Sequence, residues 1–302
     1  MPLVDLEAGE ETSLILASVQ GSLERKWSSK KLRKYGEDGD FGILEGISED
    51  LSEIGVYEFV RNGAPRDVAL LCELLGKNLL PGITASTLAA NRGIKGHGVE
   101  EKPLFAGFSD KNPPRISFSL SNIVPDPAYA DIVMIGNLLY KKEDVALTQL
   151  NSLDGTMKFF RAIPKVPGQK VDLSYSDALL VIVAQIVGSG EECVNTATNY
   201  AKHRNAFGRP IGSFQAVKHK LVDSAISIEL CRSLYLGMIE DHTLGEQALR
   251  YSSRRVSRAI TDAIQIHGGV GFTTDVDLHL HLRRVIALSK IYARESSSDE
   301  RV

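Results

Sequence analysis

The sequence is poor in cysteine, has a single tryptophan and carries almost no net charge. Its three cysteines, Cys72, Cys193 and Cys231, are an odd number without a CxxC pair. That argues against a disulfide framework or a cysteine-built zinc site and suits a reducing compartment. A formal net charge of −3 with mixed signs supplies no global field for nucleic acid or an anionic membrane, so any anion site has to be local. No window approaches the ~18 uninterrupted apolar residues of a membrane span. The opening MPLVDLEAGEETSLILASVQ is acidic with only a short apolar run, unlike a secretory signal. These absences predict a globular, cytoplasmic chain with no nucleic-acid, membrane or metal partner.

What is present is helical pattern at both ends. DLEAGEETSLILASVQGSLERKW and RDVALLCELLGKNLL space their apolar residues three and four apart, which gives each helix one buried stripe. Gly63, Pro65, Pro81 and Gly82 punctuate them. From about Gly96 to Gln169 the texture changes: RISFSLSNIV alternates, and DIVMIG and VALTQL are short β-prone runs. From about Ser174 four long amphipathic segments follow, joined by short glycine-containing turns, which predicts a helical bundle. The expected fold is mainly α with a small β-domain: an N-terminal helical domain over 1–96, a reduced β middle domain over 97–172 and a C-terminal four-helix bundle over 173–302, the bundle making most of the subunit contacts.

Two stretches of the bundle carry chemistry. YAKHRNAFGRPIGSFQ, residues 200–215, sets Lys202, His203 and Arg204 beside Phe207 and a tight turn. Pro210, Gly208 and Gly212 break the helix, and Ser213 is placed to cap the next one. Arg204 then ends one helix and Gln215 opens the next. A helix N-terminus and a guanidinium at one corner suit a phosphate or pyrophosphate, whereas the plain alternative has Arg204 capping helix carbonyls and Phe207 in the core. In the second stretch, AIQIHGGVGF, a helix ends with Gln265, His267, Gly268, Gly269 and Gly271. Paired glycines past a helix end form an ordinary C-cap, and they also bare backbone to a flat or phosphorylated ligand.

The pattern HR.AFGRPIG.FQAVKH, followed by Q.HGG.GFT.D.DLHL.LRR, resembles the C-terminal domain of the acyl-CoA dehydrogenase family. It is specific over residues 174–292. LSEIGVYEF, ELLGKNLLPG and SNIVPDPAYADIVMI extend the resemblance to that family's N-terminal and middle domains. The resemblance implies FAD shared across a subunit interface. Arg204, Phe207, Gln215, Gln265, Gly268 and Gly269, with His267 in the same turn, are then expected to hold the adenine and pyrophosphate end of a flavin bound mainly by a neighbouring chain.

The departures from the family are as informative. Its Thr-Glu-Pro and Gly-Ser-Asp stretches, which cradle the isoalloxazine, are missing from GHGVEEKPLFAGFSDKNPPRISF, where Phe108, Ser109 and Asp110 give only an echo. Dehydrogenation needs a carboxylate to take the α-proton while hydride leaves for flavin N5. The family places it after the Ile-Tyr of the last bundle helix or on the first bundle helix; Ala293 and Ala178 stand there. Asp177, one position off and about 100° round the helix, is the candidate base. The implied role is a chain inactive by itself, which completes the FAD site of a catalytic partner in an α2β2 assembly acting on the acyl-CoA thioester of a fatty acid or steroid side chain. The alternatives are a complete homo-oligomeric enzyme with an atypical base, or a binding or structural protein on the same scaffold.

Other features have plainer expectations. ERKWSSKKLRK, residues 24–34, reads as an exposed basic helix face. His279 and His281 diverge by about 200° on a helix and make a poor metal pair. Arg283 and Arg284 are expected to meet acidic residues at a subunit surface, and His97 to be solvated in a linker.

Overall fold

Helices occupy the two ends of the chain and strands its middle. The computed structural model describes residues 8–38, 42–96 and 114–293; His97, Phe108, Ser109 and Asp110 lie outside them. The N-terminal layer consists of α1 (Glu10–Lys26), α2 (Ser29–Asp38), α3 (Gly42–Ile54), α4 (Val56–Asn62), α5 (Pro65–Lys77) and α6 (Gly82–Gly93). α1 opens on Glu10 and Glu11 and closes on Arg25 and Lys26, the order the helix dipole favours. Pro65 starts α5, where a missing N–H costs nothing.

The basic stretch at 24–34 is only partly the solvated face its composition predicts. Trp27 breaks α1 from α2 and is 6% exposed, its indole Nε1 donating to the Asn78 carbonyl at 2.8 Å. Arg33 pairs with Asp277 and donates to the Thr274 carbonyl, so it ties α2 to the C-terminal region. Lys30, Lys31 and Lys34 are exposed.

The strands are β1 (Ile94–Gly96), β2 (Ile116–Ser119), β3 (Ile123–Pro125), β4 (Ile132–Ile135), β5 (Leu138–Lys141), β6 (Val145–Leu150), β7 (Phe159–Pro164), β8 (Gln169–Lys170) and β9 (Asp172–Leu173). They form one sheet ordered β2-β4-β5-β8, another ordered β3-β7-β6, and a β1-β9 pair. Among the described residues only β2 and β4 run parallel. The free edge of β2 is covered by α6. Ser86 Oγ bonds both the N–H and the C=O of Phe118, at 2.5 and 3.1 Å, and Thr87 Oγ1 does the same to Ile116, at 3.0 and 3.4 Å. Two hydroxyls thus take the place of a neighbouring strand, which closes an edge otherwise open to pairing.

The C-terminal part is α7 (Tyr175–His203), a short hairpin of β10 (Asn205–Ala206) and β11 (Arg209–Pro210), α8 (Gln215–Glu240), α9 (Gly245–His267) and α10 (Leu278–Ile291). α7 runs through the middle, packed against α5, α6, α8, α9 and α10. It crosses α5 almost backbone to backbone: a Cβ on Gly76 would fall 2.1 Å from the Gln185 carbonyl oxygen, and one on Gly188 2.0 Å from that of Glu73. Any side chain at either position would force the helices apart.

Two buried ionic clusters fasten the layers. Arg232 of α8 donates to Glu73 of α5 at 2.9 and 2.6 Å, to Glu191 of α7 at 2.5 Å and to Glu229 at 2.5 Å. Arg284 of α10 binds Asp154 at 2.6 Å, Thr156 at 2.8 Å and the Leu80 carbonyl. It is 3% exposed, which corrects the expectation of a subunit-surface pair: Arg284 joins α10 to the loop before β7 and to the segment leading into α6. Arg283, its neighbour, is exposed.

Candidate functional site

At the far end of α7 the chain makes a tight corner. β10 and β11 pair Asn205 with Pro210 and Ala206 with Arg209, leaving Phe207 and Gly208 as a two-residue turn at φ +53° and +78°. This is the left-handed turn that matches strand twist in a hairpin. Glycine takes it freely, but a phenylalanine there is strained by roughly 1–2 kcal/mol. The strained ring is also bare, at 95% exposed, so no described residue buries it.

Around the ring lies an open groove of about 320 Å³, lined by Phe207, Ile211, Phe214, Lys220, Gln265 and Ile266 among others. Phe214 meets Phe207 edge-on with centroids 6.3 Å apart, and the Arg209 guanidinium lies 4.2 Å over the Phe214 ring. Lys220 Nζ bonds Asp262 Oδ1 at 2.7 Å and ties α8 to α9 beside the groove.

Arg204 is the C-cap of α7. Its carbonyl accepts from Ile211 N–H at 2.8 Å, while its exposed side chain has no hydrogen-bond or ion-pair partner among the described residues. Arg204 caps the helix through its backbone, whose N–H donates to the Tyr200 carbonyl at 2.8 Å, and its guanidinium takes no part in the cap among the described residues. Gln215 is the first residue of α8 and exposed. Ser213 is not the cap of that helix: the N-cap is Phe214, no side chain caps the first turn, and Ser213 Oγ is buried without a partner. A 3₁₀ turn over Ile211–Ser213 shifts the serine back by one residue.

α9 ends at the same corner, where Gln265 borders the groove and Gly268 and Gly269 are exposed. Gly268 adopts φ +62°, and a Cβ on Gly268 or Gly269 would meet nothing within 4 Å. His267 points the other way. It is 4% exposed, its Nδ1 donates to the Ala263 carbonyl at 2.8 Å, and its ring stacks on Tyr200 with centroids 4.3 Å apart. It locks the end of α9 onto α7 rather than lining the corner.

Asp177 occupies the opposite end of α7, about 40 Å away at 1.5 Å per residue. Its backbone N–H donates to the Ser174 hydroxyl, which in turn bonds its carboxylate. The carboxylate also pairs with Lys95 at 3.0 Å and Arg92 at 3.5 Å. Burial alone would raise the Asp177 pKa, but the Ser174 hydroxyl, Lys95 and Arg92 hold it below the ordinary carboxylate value. This is an anchor for the start of α7, and a carboxylate so stabilised is a poor proton acceptor. The Ser-x-x-Asp spacing at 174–177 is the signal that reveals it in the sequence. Ala178 is 1% exposed and packs under Gly93, where a built Cβ would lie 3.0 Å from its own. Ala293 is half-buried.

The model of the acyl-CoA dehydrogenase C-terminal domain matches residues 179–292, which hold both the corner and the glycine turn. Residues 179–292 are thus similar to the C-terminal domain of acyl-CoA dehydrogenases, and the rest of the chain is similar to them in sequence and fold. The acyl-CoA dehydrogenase IpdE2 of Mycolicibacterium smegmatis is 28% identical over 297 residues, 91% of this chain and 92% of that protein. IpdE2 of Mycobacterium tuberculosis is 25% identical over 234 residues, covering 74% of this chain and 72% of that protein. Among solved structures, the Tcur3481-Tcur3483 steroid ACAD superposes at a TM-score of 0.77 with 18% identity, over 94% of each chain. Butyryl-CoA dehydrogenase of Megasphaera elsdenii reaches 0.69 with 16% identity, over 96% of each. At these identities the two structures establish the fold alone. None of the chain's helices, among the described residues, is long and apolar enough to cross a membrane.

Proposed function

We propose that this chain is the non-catalytic subunit of a heteromeric, FAD-dependent acyl-CoA dehydrogenase and completes the adenine and pyrophosphate end of the flavin site of a catalytic partner. The observation that carries the reading is the corner at 204–215: an exposed arginine whose guanidinium has no partner among the described residues, a strained phenylalanine 95% exposed and a helix start with no side-chain cap converge there. The donors fit the group. Arg204 offers a planar fork to a phosphate, the start of α8 offers N–H groups and partial positive charge, and Phe207 offers a flat face to a heterocycle. Ser213 Oγ, buried without a partner, adds a polar atom beside them. Gly268 and Gly269 leave backbone open where a side chain would intrude.

FAD, when bound, supplies the hydride acceptor for α,β-dehydrogenation. The α-proton needs a base, and this chain has alanines at both family positions and an ion-paired Asp177. Proton abstraction thus falls to the partner, as does binding of the acyl-CoA. The structurally similar Tcur3481-Tcur3483 steroid ACAD carries a double designation, which supports a two-chain assembly and a steroid or fatty acyl-CoA substrate. In a dimer of unlike chains two-fold arrangement gives two unlike sites, and only the one that joins the partner's ring pocket to this chain's corner is complete. The chain purified alone is expected to be colourless and inactive. Co-expressed with a fuller acyl-CoA dehydrogenase chain, it should give a yellow heterotetramer with one FAD per pair of chains, read by flavin absorbance and intact-complex mass. Stoichiometric FAD and turnover by this chain alone would establish the homo-oligomeric enzyme instead.

A further inference from the structure

Between the N-terminal layer and the bundle lies a cleft of about 360 Å³ that the flavin reading does not use. Its volume falls at the lower end of small-molecule sites, roughly 300–1,000 Å³. The layer contributes Trp27, Ser29 and Leu79, α7 contributes Glu192 and Thr196, and the segment leading into α10 contributes Asp275. The Trp27–Asn78 bond and the Arg33–Asp277 pair hold the two sides together. No lining residue is shared with the groove at Phe207, and Thr196 stands about 12 Å along α7 from Arg204 at 1.5 Å per residue.

One buried group in the wall is unsatisfied. His281 lines the cleft and is 4% exposed, and its Nδ1 is buried without a partner. Burial pushes its pKa down to about 4, so the ring stands uncharged at neutral pH among Asp277, Arg284 and His279. An orphaned buried ring nitrogen costs free energy that a bound polar group recovers.

Charge is divided across the cleft. On the layer side α2 starts at Ser29 with no acidic residue in its first turn, so its free N–H groups and partial positive charge meet no carboxylate of their own helix. Lys30 and Lys31, exposed on that turn, add positive charge. On the bundle side the Glu192 carboxylate takes the Thr196 hydroxyl at 3.2 Å and the Asp275 carboxylate the Thr273 hydroxyl at 3.1 Å; neither has an ion-pair partner among the described residues. The other charges of the lining are matched already, Lys77 by Glu191 at 3.2 Å and Asp277 by Arg33. A ligand that answers both sides carries an anionic end, a cationic end and an apolar part for Trp27 and Leu79.

We propose that this cleft binds a small zwitterion of the α-amino acid class with an apolar side chain, its ammonium at Glu192 and Asp275 and its carboxylate at the start of α2. The site is separate from the flavin corner and does not depend on the subunit reading.

Trp27 is the chain's only tryptophan and stands in the wall, so its fluorescence reports occupancy. The purified full chain is titrated with L-valine, L-leucine and L-methionine, and with two fragments of leucine: isoamylamine, which lacks the carboxylate, and 4-methylpentanoate, which lacks the ammonium. Calorimetry follows the same titrations. At least one amino acid is expected to bind saturably, with each fragment about tenfold weaker than leucine. Glu192→Gln should weaken amino-acid binding about tenfold with an unchanged circular dichroism spectrum, and Asp275→Asn, at an exposed position, by less. Titrations silent by both fluorescence and calorimetry overturn the site, as does binding that survives both substitutions unchanged. Amine binding equal to that of leucine makes the cleft a cation site and overturns the zwitterion assignment. The flavin reading is tested in the assembled complex, so none of these outcomes bears on it.

Discussion

Arg232 and Arg204 belong to the same bundle and live in opposite circumstances. Arg232 is 3% exposed and is met by Glu73, Glu191 and Glu229, with the Tyr235 hydroxyl on the same Glu73 carboxylate. Arg204 is exposed and has no side-chain partner among the described residues. A guanidinium surrounded by carboxylates of its own chain is a fastener between helices; one at a helix end with no side-chain partner among the described residues is open to a group outside them.

The largest way to break the comparison is at the fastener. Arg232→Ala strands three buried or half-buried carboxylates, and removing one partner of a buried pair costs about 3–5 kcal/mol. Chemical denaturation should show that loss, while any complex that still folds keeps its flavin. A loss under 1 kcal/mol would mean that water relieves the cluster and that it does not fasten the helices.

A second experiment probes the interior from the acid side. Asp126 is 0% exposed; one oxygen accepts from the Tyr35 hydroxyl at 3.1 Å and the Lys158 N–H at 2.7 Å, and the other has no partner. Burial pushes its pKa up to about 7, well above the roughly 3.9 of an unfolded aspartate. The folded chain therefore holds this proton more tightly, so the associated stability is full below about pH 4 and is lost as the pH rises through about 7. Asp126→Asn keeps the shape without the titration and should flatten that slope in melts between pH 5 and 8. Identical slopes in parent and variant would place the titration on another group.

At the outward arginine the expected effect is smaller in stability and larger in function. Arg204→Ala should change folding stability by no more than about 0.5 kcal/mol while lowering flavin retention in the assembled complex about tenfold, the equivalent of ~1.4 kcal/mol from one lost charge-assisted bond. Equilibrium dialysis of FAD against the complex reads it. Unchanged retention would remove the pyrophosphate role from Arg204.

The smallest effect sharpens the contrast most. Phe207→Asn puts a residue that tolerates positive φ into the turn and is expected to stabilise the isolated chain by roughly 1 kcal/mol, while weakening flavin retention through loss of the ring. A variant that gains no stability would show that the turn holds Phe207 without strain.

Much of this was legible because periodicity reports burial. The apolar spacing of α5 and α9 is the direct imprint of the faces they bury, whereas Leu14 of α1 and Val222, Ile226 and Leu230 of α8 are exposed; the β texture between the helical ends marks the short strands. Partners distant in sequence are another matter. Arg284 looks like a surface charge beside Arg283 because its partner, Asp154, lies 130 residues away. His267 shares a motif with Gln265 and Gly268, yet helix geometry turns it onto Tyr200. Ser213 resembles a cap until the 3₁₀ turn displaces it. The left-handed conformation of Phe207 leaves no mark in composition, since a hairpin turn ordinarily announces itself with asparagine or aspartate before the glycine.

The glycine crossing of α5 and α7 also sets a timetable for synthesis. Gly76 and Gly188 must meet almost at the backbone, yet the whole β region is translated between them. At roughly 5–20 residues per second, α5 leaves the ribosome with its apolar face unclaimed and waits on the order of 5 to 20 seconds for the helix that covers it. During that interval the uncovered face is open to aggregation, and slower translation between the two helices would lengthen the exposure.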